Sequence, residues 1–236
     1  MARTKMTRHE LKEQDEITTS LGKVVEFATT RQKELTIGGT VVLLVLVAIF
    51  GWRYYTSSRD TRAQIQLAQV FKVFDDTTKP DKQRFEAAIT EAQKTVDAYG
   101  SLPAGAIAQY YIGLSQEGLG DTAKATESLQ AAIDRGDSTI KGAAQFALAG
   151  IQKKHGEGPK AIEVYKQLYD SGNYSKAAVA YELAILYEMS DQPNQARDYY
   201  QKIVTEFPDS PFRQAADDAL KRMGVTVAPP PPQKPS

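Results

Sequence analysis

The chain of 236 residues carries 29 Lys and Arg against 29 Asp and Glu, with two histidines and no cysteine. A balanced charge lacks the basic footprint of a nucleic-acid binder. The missing thiols exclude disulfides, thiolate zinc sites and cysteine nucleophiles, and fit either side of a membrane.

Residues 1–34 form a polar tail carrying Arg3, Lys5, Arg8, Lys12, Lys23, Arg31 and Lys33. Within it Ile17, Leu21, Val24, Val25 and Ala28 share one face at helical spacing, so a short amphipathic helix is expected. That helix can dock a partner, lie on a membrane surface, or merely order itself beside the bilayer.

From Leu35 to Trp52 the chain reads LTIGGTVVLLVLVAIFGW, without a charge. Eighteen residues at helical rise reach roughly 27 Å, close to the ~30 Å of bilayer hydrocarbon. The expectation is one membrane-spanning helix, residues 35–53, with Trp52, Tyr54 and Tyr55 at a headgroup boundary. Two other readings compete with it. A cleaved secretory signal has a shorter apolar core nearer the N-terminus, and Gly51 to Tyr55 is too bulky for a small-x-small cleavage site. A buried soluble helix as apolar as Val41 to Phe50 needs a large domain wrapped around it. Orientation is open on local cations: Lys23, Arg31 and Lys33 precede the span, and Arg53, Arg59, Arg62 and Lys72 follow it. The shortness of the tail favours its retention in the cytoplasm, because long folded domains cross largely regardless of charge.

Residues 59–223 read as helix after helix, with Gly, Asp, Asn and Pro mostly at the joints. Ala125, Ala161 and Ala196 stand 36 and 35 residues apart, next to the 34-residue tetratricopeptide period. In the same frame Ile112-Gly113, Leu148-Ala149 and Leu183-Ala184 pair a large site with a small one. Leu129, Tyr165 and Tyr200, then Ala132, Leu168 and Ile203, form the apolar stripe of each second helix. Gly120-Asp121, Gly156-Glu157-Gly158 and Asp191-Gln192-Pro193 supply the turns. This pattern resembles the tetratricopeptide family over about Ala104 to Pro208, departing from it where Gln109, Gln145 and Ala180 replace an early aromatic. The expected fold is all-α: one N-terminal transmembrane helix followed by a tetratricopeptide-repeat solenoid. A degenerate repeat precedes the three, with Ala63, Leu67, Val70, Phe71 and Phe74 on one face and Ala88 and Ala92 on the next helix. A closing helix, Pro211 to Met223, is expected to turn Ala215 and Ala219 inward and Arg213, Asp217, Asp218, Lys221 and Arg222 outward. Residues 224–236, rich in proline, cannot form a core and are expected to be a disordered tail, a proline-rich ligand motif being the other reading.

No catalytic constellation emerges. His9 and His155 are far apart in sequence, and Asp75-Asp76 and Asp217-Asp218 read as solvated helix ends. Gly156-x-Gly158-Pro159-Lys160 lacks the strand, the glycine spacing and the Ser or Thr of a phosphate loop. The expectation is a non-enzyme with no cofactor and no metal, whose function lies in its surface. In the repeat frame the concave side carries Tyr110, Phe146 and Tyr181, again 36 and 35 residues apart. Ile107 lies three before Tyr110, and Leu114 and Ile185 lie four after Tyr110 and Tyr181, giving an apolar groove suited to an extended or helical peptide. The same aromatics can instead pack against neighbouring helices of the array. Glu117, Lys153 and Glu188 are expected to rim the groove with mixed charge.

The order of parts, a charged tail containing LKEQDEITTSLGKVVEF, one span, WRYY at its exit and then helical repeats, resembles the YfgM-like family of ancillary subunits of the bacterial Sec translocon. That resemblance implies a single-pass protein of the bacterial inner membrane with a cytoplasmic N-terminus and periplasmic repeats. It implies protein partners: the Sec translocon and a membrane-anchored periplasmic chaperone of the prolyl-isomerase type. A second reading is a scaffold for cell-wall or outer-membrane assembly, since FPDSPFRQAADDAL is similar to repeat ends in periplasmic assembly proteins.

Overall fold

The computed structural model describes residues 31–225, and these are all-helical, with no strand among them. The amphipathic helix expected in the tail and all but the first residues of the proline-rich end lie outside the described residues. The chain divides into two units between Ser58 and Arg59.

A single helix, α1 (Gln32–Phe74), contributes to both units. The helix runs without a break through residues 53–59, with Thr56 turning its hydroxyl back onto the Trp52 carbonyl at 3.1 Å. Thr36 and Thr40 do the same onto Lys33 and Thr36, at 3.0 and 2.8 Å, so these hydroxyls need no water. Along this part the apolar side chains face outward, from Leu46 at 45% exposed to Phe50 at 69%. Among the described residues it is the one helix long and apolar enough to cross a membrane.

The second unit continues with α2 (Asp81–Tyr99), α3 (Pro103–Gly118), α4 (Thr122–Arg135), α5 (Ser138–Lys154), α6 (Gly158–Ser171), α7 (Lys176–Met189), α8 (Pro193–Glu206) and α9 (Arg213–Arg222). Each helix packs on the next, and α3 also touches α5, as expected when the first helices of successive pairs form one face. The degenerate repeat is real. Ala63, Leu67 and Val70 of α1 are buried with Ala92 of α2 and with Ala104, Ala108 and Ile112 of α3. Arg84 closes this pair: it donates to the Phe74 carbonyl at the end of α1 (2.9 Å), pairs with Asp81 (2.8 Å) and lies over the Phe85 ring.

The repeat frame survives in three dimensions because small residues let paired helices close. Ala125, Ala161 and Ala196 are fully buried, and opposite them Gly113, Ala149 and Ala184 are buried as well. The fit leaves no slack, since a Cβ on Gly113 would lie 2.7 Å from Leu129 Cγ. Leu148, unlike its counterparts Ile112 and Leu183, is only half-buried. In α9 the inward residues are Ala216, Ala219 and Leu220, and Ala215 is exposed, contrary to expectation. Rotating the helix to bury Leu220 removes far more apolar area from water than burying the Ala215 methyl would.

The joints within the three regular repeats share one geometry. The N–H groups of Gly120, Gly156 and Asp191 bond three residues back, and those of Asp121, Glu157 and Gln192 bond five back, to Gln116, Gln152 and Tyr187 at 2.9 Å each. This double bond, the Schellman motif, needs a left-handed residue, and φ is +82°, +78° and +56° at the three positions. Only Asp191 takes that conformation with a side chain. Asp191→Gly should therefore stabilise the domain by about 0.5–1 kcal/mol, and Gly156→Ala should destabilise it by about 1–2 kcal/mol, both read from urea unfolding midpoints.

Candidate functional site

The six residues singled out by the repeat frame lie on the first helices α3, α5 and α7, and all six are half-buried. Ile107 belongs to the packing between α1, α2 and α3. Tyr110 leans on the cluster of Ala125, Leu129 and Ala144 and meets Tyr111 edge-on, with centroids 5.4 Å apart. Phe146 stacks on Tyr174 at 4.4 Å and meets the edge of Tyr165 at 5.2 Å. Tyr181 stacks on Phe212 at 5.1 Å. Leu114 lines an open cleft between α3 and α5, and Ile185 holds the corresponding position on α7.

Tyr174 and Phe212 were missed by the frame. Each comes from the joint between repeats, Tyr174 just before the N-cap Ser175 and Phe212 as the N-cap of α9, and each lays its ring on the aromatic of the preceding first helix. A signal was present: two of the inter-repeat joints carry an aromatic directly ahead of the next helix. The consequence is that the aromatic stripe is partly covered by the chain itself. Its rings are spaced along the face as supported pairs.

Polar contacts tie α3 to α5 and α5 to α7. Glu117 of α3 accepts from Lys154 of α5 at 2.7 Å and from the Thr122 hydroxyl at 3.1 Å, and Lys153 of α5 pairs with Glu182 of α7. Glu188, expected on the rim, instead accepts the Tyr200 hydroxyl at 2.9 Å and so serves the packing of α7 on α8. His155 Nε2 lies 3.1 Å from Thr122 Oγ1. This is not a nucleophile, base and acid in series, because Glu117 meets the hydroxyl rather than the imidazole. The acidic pairs also have structural duties: Asp76 binds Lys79 at 3.1 Å, and Asp217 binds Lys221 at 2.7 Å. Among the described residues no group of three or more His, Cys, Asp or Glu is placed to hold a metal ion. Gly156 forms a helix-ending turn and Gly158 opens α6, so the glycine-rich segment at 156–160 is a joint between helices.

Burial governs the ionisation of the tyrosines. Desolvation, with Tyr174 and Tyr111 close by, pushes the Tyr110 phenol up to about 12, and burial also raises Tyr165 and Tyr200.

A model of the tetratricopeptide repeat-like domain matches residues 33–222. No curated protein matches the chain. The matched range takes in the apolar part of α1 as well as every helix of the repeat unit.

The raised tyrosine values fix the alkaline behaviour. A phenol that ionises near 10 when unfolded and near 12 when folded leaves stability intact below pH 10 and withdraws it as pH rises toward 12. Urea midpoints should therefore fall between pH 10 and pH 11.5, and Tyr110→Phe should make that fall shallower.

Proposed function

The chain belongs to the tetratricopeptide repeat-like family, and on that premise we propose that it is a membrane-tethered scaffold whose first-helix face binds segments of other proteins. The observation that carries the reading is the extent of the family match. It begins at residue 33, ahead of the apolar stretch, so the apolar helix and the repeats recur together as one pattern. Repeats of this kind typically act as non-catalytic scaffolds. The exposed Val, Leu, Ile and Phe side chains of α1 suit lipid and would be costly in water.

Tethering gives such a scaffold its mechanism. Confining the repeat face to a membrane raises its effective concentration around partners in the same membrane, so weak contacts suffice. The finer reading follows the resemblance drawn from the order of tail, span and repeats. The N-terminus lies in the cytoplasm and the repeats in the periplasm of a bacterial inner-membrane protein. Its partners are the Sec translocon and a membrane-anchored prolyl-isomerase-type chaperone, and it assists secreted chains in transit. Ile107, Tyr110, Leu114, Phe146, Tyr181 and Ile185 line the partner face in this reading.

Chemical crosslinking of the intact protein in native membranes, followed by identification of its neighbours, tests the proposal. Translocon and periplasmic chaperone components are the expected products. Recovery of cell-wall or outer-membrane assembly proteins would transfer the same scaffold to envelope assembly, and recovery of no protein neighbour would overturn it.

A further inference from the structure

Glycine inside a helix costs about 1 kcal/mol relative to alanine, so each such glycine calls for a reason. For Gly105, Gly113, Gly118 and Gly142 the reason is contact. A Cβ at these positions would lie 2.6, 2.7, 2.4 and 2.1 Å from a neighbouring atom. Gly150, in the body of α5, has no such neighbour: its Cβ would meet only Tyr165 Oη, at an ordinary 3.7 Å. Neither packing nor the backbone demands glycine there.

The repeat frame shows what is missing. Gly150 stands four residues after Phe146, as Leu114 stands four after Tyr110 and Ile185 four after Tyr181. The row across the first helices therefore reads leucine, glycine, isoleucine, with a large side chain omitted at its centre. The omission leaves an open cleft of about 290 Å³, floored by Leu114, Ala147, Gly150 and Ile151, with Glu117 and Lys154 at one end. This volume is at the lower limit for a site that encloses a small molecule, and it has room for a protruding side chain.

The charge at its mouth is one-sided in reach. The Glu117 side chain is 18% exposed, and its two oxygens are engaged by Lys154 and Thr122. The Lys154 side chain is 65% exposed, with donors left over beyond its bond to Glu117.

We propose that the cleft at Gly150 is a receiving notch for one bulky apolar side chain, of the leucine, isoleucine or phenylalanine class, on a partner polypeptide that carries an acidic residue beside it to meet Lys154. This rests on the first-helix face being the partner face and specifies what that face selects. An anchor in a pocket bounded by a fixed charge supplies both affinity and register.

The test uses the full chain in lipid nanodiscs and a phage-displayed library of random dodecapeptides, counter-selected on empty nanodiscs, with enriched peptides titrated by fluorescence anisotropy. Enriched peptides should share a large apolar residue next to Asp or Glu. Gly150→Leu, which restores the residue type of Leu114, should weaken them by about tenfold or more. Ala147→Leu fills the same notch from the preceding turn and guards against a folding defect in the first variant, with thermal melts recorded for both. Lys154→Gln should weaken binding by about threefold and erase the preference for the acidic neighbour. Peptides that bind both filled variants with undiminished affinity, or that lack the apolar and acidic pair, overturn the notch while leaving the scaffold reading in place. A failure to enrich any peptide also overturns the notch, and the scaffold falls with it only if crosslinking finds no neighbour.

Discussion

The repeat unit depends on how closely the second helix of each pair can approach the first. Gly113, Ala149 and Ala184 on one side, and Ala125, Ala161 and Ala196 on the other, remove the side chains that would hold the pairs apart. Leu129, Tyr165 and Tyr200 then fill the space beside them. Since one pair cannot cover its own apolar stripe, the same residues oblige the next pair to stack, and the array follows from a local constraint repeated. The closing helix obeys the same rule, turning Ala216, Ala219 and Leu220 to the array and leaving charge outside.

The joints convert that packing into a defined surface. In the three regular repeats, left-handed residues end the first helix by the same pair of backbone bonds, so the second helix departs in the same way each time. Between repeats, Tyr174 and Phe212 brace the aromatics of the preceding first helix, while Glu117 with Lys154 and Lys153 with Glu182 bridge successive first helices. A face braced in this way has little conformational freedom left to lose, and preorganisation of that kind is a general source of affinity where a face binds. The leucine, glycine, isoleucine row is interrupted at Gly150, where an open cleft lies between α3 and α5.

The apolar part of α1 has the composition of a helix suited to a different solvent. Its side chains are outward on every side, and its threonine hydroxyls are satisfied by the backbone of the same helix. Both features are what a hydrocarbon environment requires, because there a helix must meet its own hydrogen-bonding needs. Attachment of a repeat domain to a membrane would let proximity substitute for tight binding.

By itself the amino-acid order determined the helical class, the apolar span, the 35- to 36-residue frame and the buried alanines. Each of these is written in periodicity, and periodicity is a property of the chain alone. One feature read from periodicity came out differently in space: Ala215, counted as inward, proved to be outward. Only the tertiary structure decided which ring covers Phe146 and where a cleft opens, because these depend on residues about thirty apart in sequence, and which hydroxyl Glu188 serves, because that depends on how the two helices of one pair pack. Gly150 marks the boundary between the two kinds of information. Its place in the row was countable from the sequence, but whether a neighbour fills the space it vacates could be learned only once the helices were packed.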